Sequence, residues 1–214
     1  MKKKGVLVVV SGFSGVGKGT VIKTLMGRFP KEYAFSISAT TRSPREGEVH
    51  GREYYFITEA EFKKMIEEDQ LVEYTCYQGR YYGTPVASVA DHLEAGVNVI
   101  LDIEVEGALN IKKKFPEALT IFLIPPRAAA LKARLEGRGT ETEAQILGRL
   151  ARAAEEAAIV GDYEGILVND DLDTCVETLR RVIADPSLAE SYYSSNLAKA
   201  RTMEAEINLM LKGE

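Results

Sequence analysis

Cysteine is scarce in this chain. Cys76 and Cys175 are the only two, far apart and in no CxxC pair, so neither a dense disulfide framework nor a thiolate zinc site is available, and free thiols in a reducing cytosol are expected. Histidine is equally sparse: His50 and His92 form no HExxH or other zinc-ligand spacing. Long apolar runs are missing too. Lys2 to Lys4 followed by Val6 to Val10 resembles the start of a signal peptide, but the run is too short and ends in a glycine loop, so it reads as a first β-strand. Nothing later is long enough to span a bilayer, so a cytoplasmic protein with no membrane partner is expected. A surplus of positive charge is lacking as well. The 27 Lys and Arg stand against 32 Asp and Glu, a formal charge of −5, which argues against an extended nucleic-acid or anionic-membrane surface. Any anion site must be local.

What is present fits one folded unit. Hydrophobic residues make up 45% and charged residues 28%, too apolar for a disordered chain, and 214 residues can bury one core while carrying small inserted lobes. Short β-branched runs alternate with helical patterns: Val6 to Val10 then a helix from Lys18, Val97 to Ile103 then a helix to about Lys114, Leu119 to Ile124 then helices, and Ile166 to Val168 then a helix from Asp171. The runs are apolar throughout, as strands buried on both faces should be, and the alternation predicts an α/β fold with a parallel sheet between helical layers. Residues 1–35, 90–126 and 161–186 are assigned to that core. Residues 36–89, rich in Tyr, Gly, Thr and Arg, read as an inserted α+β lobe, with a capping box at Thr58 and Glu61 opening a short helix. Residues 127–160 are helical and crowded with arginine, with a break at Gly137 to Thr140, and read as a basic helical lid. Residues 187–214 form a C-terminal extension whose Leu188, Tyr193, Leu197, Ala200, Ile207 and Met210 approach helical spacing, an amphipathic helix for the body or a second subunit. Monomer and homo-oligomer both remain open.

One segment carries its chemistry on its face. Gly12, Phe13, Ser14, Gly15, Val16, Gly17, Lys18, Gly19 and Thr20 directly follow the first strand and open a helix. Glycines let backbone N–H groups turn inward around a phosphate, the helix N-terminus adds its positive end, and the lysine reaches the outer phosphates of a nucleotide. A plain glycine turn would not require lysine at that offset. The usual motif ends in Lys-Ser/Thr, whose hydroxyl touches Mg²⁺; here Gly19 fills that position and Thr20 follows. The Lys-Gly-Thr ending resembles that of adenylate kinases, which implies a Mg²⁺ held mainly by phosphates and water. Asp102, closing the strand Val97 to Leu101, is placed to hold a metal-bound water or to orient an acceptor; the alternative is a carboxylate capping the next helix.

The stretch Ser36-Ile-Ser38-Ala-Thr40-Thr41-Arg42-Ser-Pro44-Arg45-Glu-Gly47-Glu48, followed by Gly51-Arg-Glu-Tyr54-Tyr-Phe56, resembles the GMP-binding signature of the guanylate kinase family. Further matches are Leu71-Val-Glu73-Tyr, Tyr81-Tyr82-Gly83-Thr84, Ile100-Leu-Asp102, Leu135-Glu-Gly-Arg138-Gly-Thr and Val168-Asn169-Asp170-Asp171, so the likeness runs from about residue 5 to 184. It implies a P-loop enzyme that moves the terminal phosphate of ATP onto GMP with Mg²⁺. Arg42 and Arg45 would grip the GMP phosphate through paired N–H forks, helped by the hydroxyls of Ser38, Tyr54 and Tyr82. Glu73 would accept from guanine N1–H and N2–H₂, and Thr84, where the family usually has serine, would donate to O6; Asp102 joins the acceptor side. Arg134, Arg138 and Arg149 match arginines closing over the ATP phosphates, and Asn169 matches an adenine-side contact. Taken singly these have bland readings: solvated arginines, i, i+4 pairs with Glu136, Glu141 or Glu143, and a turn asparagine. Two rival functions remain at this level. Another nucleoside monophosphate kinase would leave Glu73 and the Ser-x-Thr-Thr-Arg block unexplained, and a kinase-shaped peptide-binding module would typically lack the phosphate loop and lid arginines.

Overall fold

The computed structural model describes residues 3–77, 79–103, 105–137 and 142–212. Among them, nine strands form two sheets. The larger sheet takes β1 (Leu7–Gly12), β2 (Tyr33–Phe35), β7 (Asn98–Asp102), β8 (Leu119–Ile124) and β9 (Gly165–Val168) in the order β2-β7-β1-β8-β9, every neighbouring pair parallel. Val8 to Val10 and Ile121 to Ile124 are fully buried, because helices cover the sheet. Helices α1 (Lys18–Arg28) and α7 (Leu172–Ala184) pack against each other, while α4 (Val105–Lys114) lies on β1 and α8 (Ala189–Lys212) lies on β9. In register, Val10 pairs with Asp102 and Gly12 with Leu123. The carboxyl end of β7 therefore stands beside the start of the phosphate loop, where open parallel sheets place their ligands.

The smaller sheet takes β3 (Ala39–Thr40), β4 (Tyr55–Phe56), β5 (Leu71–Tyr77) and β6 (Arg80–Pro85) in the order β4-β3-β6-β5, with antiparallel β3/β6 and β5/β6 pairs. It has its own small core of Ala39, Phe62 and Leu71. Helix α2 (Glu59–Glu67) supplies Phe62, whose ring stacks on Tyr81 at 5.2 Å between centroids. The capping box is present as read: the Thr58 hydroxyl accepts from Glu61 N, and Glu61 accepts from Thr58 N at 2.7 Å.

Two elements escaped the sequence pattern. Strand β2 is only three residues long with Tyr33 alone buried, so it shows no apolar run. Helix α3 (Val86–Glu94) begins where β6 ends and packs on β7 as well as β6, so it ties the stretch read as a lobe to the main sheet. The stretch read as a lid carries α5 (Ala128–Glu136) and α6 (Glu143–Ala158), the latter opened by a second capping box at Thr142 and Gln145. The tail helix α8 packs on the body, burying Ala200, Met203 and Ile207 against α6 and β9. Both cysteines are free thiols, Cys76 exposed and Cys175 buried.

Candidate functional site

The loop from Gly12 to Gly17 is shaped by two glycines with left-handed backbones, Gly15 at φ 91° and Gly17 at φ 94°. Space is limiting there as well: a Cβ on Gly15 would stand 2.5 Å from Leu135 Cδ2, and one on Gly17 2.9 Å from Asn169 Nδ2. Phe13 anchors the loop from below, buried and edge-on to Phe122 at 5.1 Å, so its side chain serves the core while its backbone serves the loop. No side chain caps α1 at Gly17, which leaves the first N–H groups facing an open hollow of about 800 Å³. That hollow is lined by Gly12 to Thr20 and, from α6, by Gln145, Arg149, Arg152 and Glu156. Lys18 Nζ lies 2.7 Å from Asp102 Oδ1.

Arg134 and Asn169, expected on the ATP side, do something different here. Asn169 Nδ2 donates to Val16 O at 2.8 Å and Arg134 Nη1 donates to the same oxygen at 3.1 Å, while Arg134 Nη2 donates to Asn169 O at 2.8 Å. Neither lines the hollow. They hold one carbonyl of the loop outward, which leaves its N–H groups to turn inward. Arg138 lies outside the described residues, and Arg149 is among the residues that line the hollow.

A larger cavity of about 1270 Å³ opens between the lobe and the main sheet, lined by Ser38, Glu73, Tyr82 and Thr84 on one side and Asp102, Arg152 and Glu156 on the other. Glu73 is half-buried on β5, where pairing with β6 shifts register between Leu71 and Tyr74. Burial pushes its carboxyl above the ordinary range, an effect partly offset by the hydrogen bond from Thr84. That bond changes one expectation. Thr84 is 2% exposed and its hydroxyl donates to Glu73 Oε1 at 2.7 Å, so its single hydrogen is not directed at a guanine O6. A buried hydroxyl must donate somewhere, and the carboxylate is its acceptor.

Arg42 is likewise engaged inside the protein. Its Nη1 lies 2.9 Å from Glu48 Oε2, its Nη2 donates to Glu48 Oε1 at 2.9 Å, and its Cζ sits 5.5 Å from the Tyr54 ring and 5.6 Å from that of Phe56. Glu48 also accepts from Arg45 N at 2.7 Å. Arg42 first, then the Arg45 backbone, hold the Glu48 carboxyl below the usual range, and Glu48 raises the Arg42 guanidinium in turn. Sequence reasoning gave Glu48 no role; its signal was a carboxylate six residues after Arg42. Tyr54 and Tyr82 meet edge-on at 6.2 Å, so the expected acceptor residues Arg42, Tyr54 and Tyr82 form one cluster, with Arg45 joined through Glu48.

The two hollows are neighbours. Arg152, Glu156 and Gly148 wall both, Lys18 lines the smaller and Asp102 the larger. Their ion pair marks the point where a ligand in one would meet a ligand in the other. Among the described residues no three His, Cys, Asp or Glu side chains converge as a metal cage, and no helix is long and apolar enough to cross a membrane.

Comparison with known proteins gives the family. The profile of the family described as Guanylate kinase matches residues 4–186. The chain is 48% identical over 183 residues to a guanylate kinase of Caldanaerobacter subterraneus subsp. tengcongensis, covering 86% of this chain and 88% of that protein. It is 45% identical over 183 residues to the guanylate kinase of Bacillus subtilis, covering 86% and 90%. Among solved structures, guanylate kinase from Anaplasma phagocytophilum superposes with a TM-score of 0.62 at 26% identity, over 87% of this chain and 88% of that one.

Proposed function

The chain belongs to the guanylate kinase family and has its activity, and from that premise we propose that ATP and GMP meet across the Lys18–Asp102 pair. ATP takes the smaller hollow with its phosphates on the Gly12 to Thr20 loop. GMP takes the larger cavity, its base toward Glu73 and its phosphate toward Arg42, Arg45, Ser38, Tyr54 and Tyr82. The observation that carries this reading is the 2.7 Å contact itself, because it joins a residue of one hollow to a residue of the other.

Transfer between two phosphates asks little covalent chemistry of the protein, which must line up donor and acceptor, neutralise charge and exclude water. Lys18 exchanges Asp102 for the outer phosphate oxygens of ATP. Asp102, released, turns to the acceptor side or holds a metal-bound water. Gly19 offers no hydroxyl, and among the described residues Asp102 belongs to no cluster of three acids, histidines or cysteines, a donor set that fits a Mg²⁺ carried in on the nucleotide phosphates and reached through water. When bound, that ion supplies charge neutralisation on the donor phosphates. Arg149, with Arg138 from the lid, adds positive charge over the transferring group. Glu73 rejects adenine because its ring N1 is an acceptor, which would face the carboxylate with no proton between them.

A coupled assay with ATP, Mg²⁺ and each of GMP, AMP, CMP and UMP tests the reading. Turnover confined to GMP is expected. Comparable turnover of AMP would overturn the role of Glu73, and absence of ATP binding by titration calorimetry would overturn the assignment of the smaller hollow.

A further inference from the structure

Glu156 is a buried acid that the mechanism above does not use. It is 6% exposed and sits near the end of α6, where its Oε2 accepts from Ser14 N in the phosphate loop at 2.9 Å. Its Oε1 accepts from Arg152 Nε at 3.3 Å. A carboxylate is not placed in a low-dielectric site without strong partners, and a backbone N–H together with a guanidinium are such partners.

Its place on the helix gives the contact a consequence. Residues 149, 152 and 156 are separated by three and four positions, so they share one face of α6, and all three line the hollow above the loop. Burial along α6 is graded. Glu143, Ala144, Gln145, Leu147 and Gly148 are exposed, whereas Leu150, Ala153, Ala154, Glu156 and Ala157 are buried. Apart from Ile146, which packs on the main core, the beginning of α6 is thus exposed and its end is buried, and at the buried end a side chain is bonded to the loop itself.

We propose that Glu156 is a positioning residue: through Ser14 N–H it fixes the rotation of α6 relative to the phosphate loop and so aims Arg149 at the phosphates that the loop holds. The proposal rests on the assignment of ATP to the smaller hollow only in its kinetic consequence; the coupling of helix to loop is a property of the ligand-free protein. What matters is reach rather than charge. Glutamine at 156 still offers an oxygen to Ser14 N–H, and Arg152, whose side chain is 57% exposed, can turn to solvent. Aspartate keeps the charge but falls short by one methylene, about 1.5 Å.

The test compares E156Q and E156D with the wild type. E156Q is expected to keep kcat within about threefold, and E156D to lower kcat by about tenfold or more with the GMP KM held within about twofold. Amide hydrogen exchange at Ser14, measured without nucleotide, should be slow in the wild type and in E156Q and fast in E156D. The opposite ranking of the two variants would make Glu156 a counter-charge for the arginines and overturn the proposal. So would wild-type kcat in E156D, or a gain in ATP affinity on shortening the side chain, which would make the carboxylate an occupant that nucleotide must expel. Fast exchange of Ser14 in the wild type would overturn it with no variant at all, and that outcome is independent of where ATP binds.

Discussion

At the scale of single residues, the proposed acceptor site rests on a carboxylate that its surroundings resist ionising. Burial raises the Glu73 carboxyl above its ordinary value of 4.5, and the Thr84 hydrogen bond offsets only part of that. The folded value lies above the unfolded one, so the contribution of this group to stability is complete below the unfolded value and is lost as pH rises through the folded value. At neutral pH an ionised Glu73 with no ligand is therefore a cost to the fold, while the role proposed for it, accepting from guanine N1–H and N2–H₂, would require that ionised form. Stability and specificity pull apart at one atom pair. In a pH series, kcat/KM for GMP should fall on the acid side at a pH above the ordinary carboxylate range, and the fall in kcat should lie lower, because guanine donors favour the charged form in the complex. Glu73→Gln should remove that acid limb, lower GMP efficiency by about tenfold to a hundredfold for a lost charged hydrogen bond of ~1.5–3 kcal/mol, and narrow the gap to AMP. A folded variant with an unchanged ratio of GMP to AMP efficiency would show that the base is selected elsewhere in the lobe.

At the scale of elements, the phosphate loop is held by side chains that arrive from three separate stretches of chain: Asn169 after β9, Arg134 on α5 and Glu156 on α6. The loop itself was legible in the sequence, since a strand, a glycine turn and a lysine at a helix start are local in the chain. Its supports were not. Ser14 and Glu156 are 142 positions apart, and nothing in the spacing of either predicts the contact. The resemblance drew Arg134 and Asn169 toward the nucleotide, whereas both donate to Val16 O. Strand β2 was hidden for another reason, being an edge strand too short to show periodicity. The capping box of α2 and the apolar strands were readable because they depend on neighbours in sequence. Asn169→Ala should leave Val16 O with Arg134 of its two side-chain donors and cost about 0.5–1.5 kcal/mol, the net worth of one hydrogen bond whose acceptor keeps another donor. It should raise the KM for ATP more than that for GMP. Equal shifts in both constants, read from initial rates with each substrate varied, would place Asn169 in general stability rather than in the loop.

At the scale of the whole molecule, three of the groups expected on a substrate are engaged with an acid of the same chain: Lys18 with Asp102, Arg42 with Glu48, Thr84 with Glu73. The cavity of about 1270 Å³ is larger than the several hundred Å³ to about 1000 Å³ typical of a filled small-molecule site, as an open cleft should be. The acceptor lobe has a small core of Ala39, Phe62 and Leu71, while Val72 and Val89 tie its base to the main core, so a hinge at that base would let the lobe swing over the parallel sheet. GMP is the ligand that should move it. Its base would bind Glu73 on the lobe while the opposite wall of the same cavity carries Asp102 of the main sheet and residues of α6, so a narrowed cleft would let one nucleotide touch both. Ligands shift such an equilibrium by their difference in affinity for the two states, and that difference is large for a ligand that bridges the moving parts. Small-angle scattering should accordingly show the radius of gyration falling when GMP saturates the wild type. The Glu73→Gln protein should need more GMP to reach the same contraction, because the bridge has lost its firm end on the lobe. A scattering curve unchanged by saturating GMP would mean that the lobe is already set, and that discrimination and water exclusion must then be achieved by the lid helices alone.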